Sequence, residues 1–151
     1  MSFVTGGDRQ IRSRRRPISE LNTAQGDRFV PVGDPALWMD DALADVDRFD
    51  NLQSGWDGGN SVSPGPEVLE LARRIIIAAA HKPNAPAPHI APVSGGGVQL
   101  EWHVGTRDLE LELLPNGLLA YLRSQGEAED SGDLTIGRVE KAAELVEWLT
   151  Q

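Results

Sequence analysis

Apolar residues after residue 34 recur at a helical spacing in three stretches of the chain. The first begins at Pro35, with Leu37 among its apolar positions, and the others cover residues 66–81 and 135–149, the last including Ile136. Apolar side chains three or four positions apart share one face of a helix. Asp34 before a proline is a typical N-cap. The pattern therefore predicts three amphipathic helices.

Strict alternation of apolar and polar residues follows the second helix. Residues 98–104 and 109–113 alternate in this way, and residues 118–123 return after a turn. The intervening dipeptides, Gly105-Thr106 and Asn116-Gly117, fit two-residue hairpin turns. The pattern predicts three antiparallel strands joined as a meander.

Residues 89–93 add a possible fourth strand at the sheet edge, limited by Pro88 and Pro92. The acidic residues 126–133 predict a loop before the last helix. The predicted fold class is α+β, with two helices, then a three- or four-stranded antiparallel β-meander, then a C-terminal helix. Helices on one face of the sheet bury the apolar sides of both layers.

Two-residue turns would align polar side chains across the sheet. Glu101 would then lie opposite Glu110, with Arg123 completing the row, and His103 opposite Asp108. Three interpretations stay open: a solvated surface with an ion pair, an acid-rich recognition surface for a basic partner, or a catalytic carboxylate pair.

The charge of the chain is divided between two regions. Residues 1–28 carry six arginines against three acids, a net charge of +3, and the rest carries eight bases against 20 acids, or −12. We expect residues 1–33 to form a flexible basic N-terminal arm and residues 34–151 a single α+β domain. The acidic body disfavours nucleic-acid binding by the body itself.

Four arginines of the arm form a short run: Arg12, Arg14, Arg15 and Arg16. They act either as a solubilising tail or as contacts to phosphates or to an acidic protein surface. Nucleic-acid binding is therefore expected through the arm only.

Several chemistries find no support in the sequence. The chain has no cysteine, and its three histidines lack a metal-ligand spacing, so we predict no metal site, no cofactor and no catalytic residues. Residues 94–97 (Ser-Gly-Gly-Gly) precede a strand and predict a turn instead of a phosphate loop. The longest apolar stretch, residues 75–80, is much shorter than the roughly 20 residues of a membrane span. We expect a cytoplasmic protein, or one built into an assembly in the cytoplasm.

Trp56-Asp57-Gly58-Gly59 forms a tight loop between the first two helices. Either Trp56 folds over the core while Asp57 caps local amides, or Trp56 is exposed as an interface anchor.

The Gly-Trp-Asp-Gly loop at residues 55–58 and the Gly-Gly-Val-Gln-Leu-Glu-Trp strand at residues 96–102 together resemble a family of small bacterial proteins without a known activity. The resemblance covers residues 52–149. It implies a bacterial or phage origin and the α+β order, and it assigns no catalytic residue.

A compact acidic body with a basic arm and no convergent catalytic set predicts a non-enzymatic protein-binding module, antitoxin- or immunity-like. The arm, Trp56, Asp57 and the Glu101–Glu110–Arg123 row are the expected contacts with another protein. One alternative is a structural component of a phage particle or other large bacterial complex. Another is a small enzyme using the acidic sheet surface with His103.

Overall fold

The computed structural model describes residues 33–151. In it, five antiparallel strands form one sheet, and three helices pack against one face of that sheet. The elements are α1 (Met39–Phe49), α2 (Pro66–Ala80), β1 (His89–Val93), β2 (Gly97–Val104), β3 (Arg107–Leu113), β4 (Leu119–Gln125), β5 (Ala128–Leu134) and α3 (Arg138–Trp148). The strands lie side by side in chain order. The predicted α+β class is confirmed, with one strand more than expected. None of the helices in residues 33–151 is long and apolar enough to cross a membrane.

The hydrophobic core lies between the helices and the inner face of the sheet. Its largest fully buried side chains come from every helix and from the three central strands: Val46, Leu69, Ile75, Ile76, Val98, Leu100, Leu109, Leu111, Leu113, Leu119, Val139 and Leu145. The alternating pattern of β2 and β3 explains this placement, since every second side chain of a strand points to the same face.

Two tryptophans attach the proline-rich connector between α2 and β1 to the body. The indole N–H of Trp102 donates to the carbonyl of Pro86 at 2.9 Å, and that of Trp38 donates to Ala85 at 2.9 Å. Both partly buried donors are thereby satisfied, as buried tryptophan N–H groups usually are. The connector thus runs along the body and leads directly into β1.

Two helices begin later than the sequence predicts. α1 begins at Met39 with Trp38 as its N-cap, because the backbone N–H of Ala36 bonds to Ala80 at the end of α2 and holds the preceding segment there. Leu37 is fully exposed. α3 begins at Arg138, which leaves Ile136 outside the helix and exposed. The assignments of Leu37 and Ile136 to apolar helix faces were therefore wrong.

The predicted register between β2 and β3 is confirmed, whereas that between β3 and β4 was wrong by one residue. Leu113 pairs with Leu119, and within the five-residue connection 114–118 the N–H of Leu114 bonds to the carbonyl of Leu118 at 2.9 Å, which leaves residues 115–117 as the loop. The N–H of Gly117 bonds to the carbonyl of Leu114 at 2.9 Å, which closes a turn with Pro115 in its second position. Gly117 then takes a positive φ of 91°. This is a three-residue hairpin loop with a glycine bulge, in which Asn116 keeps a negative φ.

The one-residue difference transfers every side chain of β4 to the opposite face. Tyr121 and Arg123 therefore point toward the helices, and Leu122 points away from them. The prediction that Arg123 completes a surface row with Glu101 and Glu110 was wrong.

β5 replaces the loop predicted for residues 126–133. It pairs with β4 along its length, with Arg123 opposite Asp130 and Tyr121 opposite Gly132. Arg123 Nε donates to Asp130 Oδ2 at 3.2 Å, and both side chains are about one-tenth exposed or less. The Arg123 guanidinium also lies over the ring of Trp148, 5.1 Å from its centroid. This buried pair joins β4, β5 and α3.

Replacing Asp130 by alanine should destabilise the protein by about 3 kcal/mol, because it removes the carboxylate that neutralises a buried guanidinium. Asp133→Ala, on the same strand but exposed on the other face, should change the unfolding free energy by less than about 0.5 kcal/mol. Urea unfolding of both variants measures the difference. Equal midpoints would contradict the structural role given to the Arg123–Asp130 pair.

Candidate functional site

The surface of the sheet turned away from the helices, hereafter the outer face, carries three rows of side chains aligned by strand pairing. The central row contains His89, Glu101, Glu110, Leu122 and Ser131. The flanking rows contain Ala91, Gln99, Glu112, Ala120 and Asp133 on one side, and His103, Asp108, Ser124 and Glu129 on the other. The predicted apposition of Glu101 with Glu110 is confirmed.

The basic side chains of the described body all lie off the outer face. The outer face holds six carboxylates: Glu101, Asp108, Glu110, Glu112, Glu129 and Asp133. All eight Lys and Arg residues after residue 28 lie elsewhere: Arg48, Arg73, Arg74, Lys82, Arg107, Arg123, Arg138 and Lys141. They belong to the helices, to the residues adjoining them or to the inner side of the sheet. The outer face therefore has a negative potential that no cation of residues 33–151 offsets locally.

Five carboxylates of the helix layer, by contrast, are paired with arginine or lysine: Asp45, Asp47, Asp50, Glu70 and Glu147. Arg73 contacts Asp47 and Asp50, each at 3.0 Å, and Lys82 contacts Glu147 at 3.3 Å. These exposed pairs add little stability, but they offset part of the negative charge of that side, whereas the outer face has no Lys or Arg to do so.

Four carboxylates of the outer face make no ion pair within residues 33–151: Glu110, Glu112, Glu129 and Asp133. The other two have local partners. Glu101 accepts a hydrogen bond from Gln99 at 2.6 Å, and Asp108 is bonded to His103 Nδ1. Like charges on facing strands repel by some tenths of a kcal/mol. A basic ligand would remove this repulsion.

The outer face is not flat. A groove of about 380 Å³ crosses the first four strands. It is lined on this face by His89, Glu101, His103, Asp108, Glu110, Leu122 and Ser124. Leu122 is 38% exposed and places an apolar patch between the carboxylates. The groove can therefore accept a side chain that combines a positive charge with an apolar stem.

His103, Asp108 and Ser124 lie side by side on three adjacent strands but do not form a nucleophilic triad. Asp108 occupies the middle position, opposite both His103 and Ser124. A triad requires the imidazole between the hydroxyl and the carboxylate. With strands about 4.8 Å apart, the backbones of His103 and Ser124 are separated by roughly 10 Å. The arrangement fixes the His103 ring without activating Ser124.

The structure separates the predicted contact residues. Glu101 and Glu110 lie together on the outer face, whereas Arg123 is buried on the inner side. The predicted arginine run, Arg12 to Arg16, lies outside the described residues. Within residues 33–151, no three His, Asp or Glu side chains are arranged to hold a metal ion.

Trp56 and Asp57 lie in the loop between α1 and α2, within residues 51–65. The half-buried Trp56 donates its indole N–H to the carbonyl of Val62 at 3.2 Å, and the described side chains in or against the core do not include it. Asp57 accepts a hydrogen bond from the N–H of Gly59 at 2.9 Å. Its predicted capping of local amides is therefore confirmed, and the prediction that Trp56 covers the core was wrong.

Several residues of the outer face were missed by sequence reasoning: His89, Leu122, Glu129 and Asp133. Pro115 before Asn116-Gly117 was the available signal, because proline suits the second position of the turn that opens a three-residue loop. With that loop, the correct register places Leu122 on the outer face. β5, with no β-branched or aromatic residue, gives no comparable strand signal.

The pKa of Asp57 is held below its ordinary value, chiefly by a hydrogen bond with the Ser61 hydroxyl and then by the N–H of Gly59. Ser61→Ala should therefore raise the pKa of Asp57, whereas Ser54→Ala in the same loop should leave it unchanged. Carboxyl ¹³C titration by NMR measures both.

Because the folded pKa is the lower one, ionised Asp57 stabilises the loop above about pH 4, and this contribution is lost as the pH falls through the folded pKa. An unchanged titration in Ser61→Ala would contradict the assigned cause.

No protein-family model, curated protein or solved structure matches this chain.

Proposed function

We propose that this chain is a non-enzymatic protein-binding module whose outer face takes a basic surface of another protein. The observation that carries the proposal is the separation of charge: six carboxylates and no Lys or Arg on one face of the described sheet. A field of one sign over a surface speeds association with an oppositely charged partner and disfavours wrong partners.

The chemistry of the outer face also suggests how a partner is held. Leu122 lies in the central row beside Glu110, so an apolar contact is surrounded by charged ones. Protein interfaces commonly combine an apolar centre with a polar rim. A partner that presents arginines around an aliphatic or aromatic side chain fits this arrangement.

Proteins that act on nucleic acids carry such basic surfaces, because phosphate contacts dominate their affinity. An antitoxin- or immunity-like inhibitor that covers the basic surface of such a target is therefore the proposed role. A structural component of a phage particle or other large complex would use the same outer face. The two roles differ in sedimentation, since an inhibitor forms a one-to-one complex and an assembly component sediments with large particles.

A small enzyme is the second candidate, and the groove on the outer face is the observation that favours it. The residues first proposed for it are not together, because Arg123 lies on the inner side and pairs with Asp130. The hydroxyls of Ser124 and Ser131 lie two and three strands away from His103, so the imidazole has no hydroxyl beside it. Failure to recover any protein partner would favour this candidate.

Affinity purification of the tagged chain from its native host, after nuclease treatment, should recover one stoichiometric basic protein. Replacing Glu110 and Glu112 by lysine should weaken binding of that protein at least tenfold, because like charges would then face each other across the interface. Glu144→Lys, an exposed acid of α3, is the matched control and should bind as the unaltered chain does. Equal losses in the two variants, or none in either, would contradict the proposal.

A further inference from the structure

We infer that the arginine run of the same chain (Arg12, Arg14, Arg15 and Arg16) docks on the outer face and competes there with the partner. The docking is inferred from the structure and the sequence alone. Its regulatory consequence rests on the proposed function, because only a partner on the same face would have to displace the run.

Charge complementarity selects this face over the rest of the body. Four outer-face carboxylates have no ion pair within the described part of the chain, whereas Asp45, Asp47 and Asp50 of the α1 region are already paired with arginines. Asp40 and Asp41 are unpaired within that part too, but they lie in the first turn of α1, where the helix dipole offsets their charge. A guanidinium binds a carboxylate through two parallel hydrogen bonds, and the groove beside Leu122 accommodates its aliphatic stem. The outer face is thus the part of the body best suited to several arginines at once.

The described chain begins near the proline-rich connector that leads into β1. Near its start, the N–H of Ala36 bonds to Ala80 and the indole of Trp38 bonds to Ala85 in the connector. That connector enters β1, whose first residue, His89, lies beside Glu101 on the outer face. The described chain therefore begins beside the connector that leads to β1, an edge strand of the acidic surface.

The length of the intervening segment is sufficient. The 17 residues from 17 to 33 can span about 56 Å when extended. The five strands at about 4.8 Å spacing are only about 19 Å across. The arginine run can reach every row of the outer face without full extension.

Attachment to the same chain raises the local concentration of the run to the millimolar range. Each exposed arginine–carboxylate pair is weak, so docking depends on several pairs together and should be abolished by salt. A basic partner with more contacts would displace the run, which would then be available for a second contact.

Spin labelling tests the docking directly, and the absence of cysteine from the chain makes it specific. A nitroxide attached to Ser13→Cys in the full-length ¹⁵N-labelled protein should broaden amide signals at residues 99–103 and 108–112 at low salt. The signals of α3, which lies behind the sheet, should be broadened much less. The broadening should vanish in about 0.5 M NaCl, where the Debye length is roughly 4 Å.

Three variants complete the experiment. Replacing Arg12, Arg14, Arg15 and Arg16 by glutamine should remove the broadening, as should Glu110→Lys with Glu112→Lys, whereas Glu144→Lys should retain it. Uniform broadening, no broadening at low salt, or broadening centred on α1 would overturn the inference.

A mixture of ¹⁴N chains that carry the nitroxide with ¹⁵N chains that lack it distinguishes docking within one chain from contact between two chains. Equal broadening in this mixture would also overturn the inference, because it would show binding between copies. The free chain suffices for these measurements, so a negative result leaves the proposed partner surface standing. A positive result likewise holds if no partner protein is recovered.

Discussion

The pairing of Leu113 with Leu119 determines which side of the sheet every later strand residue occupies. A strand has a side-chain period of two, so a slip of one residue would exchange its faces. The loop at residues 114–118 fixes the register through the turn closed by Gly117 and the positive φ of that glycine. With this register, the last two strands direct Arg123 and Asp130 inward as a buried pair, and Leu122 and Glu129 outward.

The consequence that matters for function is that the outer face carries carboxylates but no Lys or Arg. Arg107 and Arg123 lie over the Trp148 ring, 4.9 and 5.1 Å from its centroid, and these two are the only Lys or Arg residues in the described strands. With both held on the helix side, no Lys or Arg of the described sheet neutralises the outer carboxylates. Adjacent glutamates reduce stability slightly. A surface that keeps this repulsion is suited to a basic ligand, and the chain itself supplies one candidate in its arginine run.

The sequence predicted the elements whose apolar spacing is regular and failed where tertiary contacts decide. α2, β2 and β3 have long periodic patterns and lie where expected. α1 starts late because Ala36 bonds to the end of α2, a contact that no local pattern encodes. β5 was missed because its residues have low strand propensity. It forms because it pairs with β4 and because Asp130 neutralises Arg123.

Only part of the candidate site was predicted correctly, because its residues depend on two turns and on the pairing of the edge strands. The apposition of Glu101 and Glu110 depends on the Gly105-Thr106 turn, which has the expected two-residue length. The place of Arg123 depends on the next turn, where Pro115 favours a longer loop. His89, Glu129 and Asp133 join the outer face through the two edge strands. Their place there follows from tertiary pairing.

Carbodiimide cross-linking of the chain to its isolated partner tests the central claim most directly, because this reagent joins carboxylates to amines in direct contact. Peptide mass spectrometry then identifies which carboxylates reacted. If the outer face is the binding surface, the partner's lysines will be joined to Glu110, Glu112 and Glu129. Cross-links confined to exposed helix carboxylates such as Glu67 and Glu144 would contradict it.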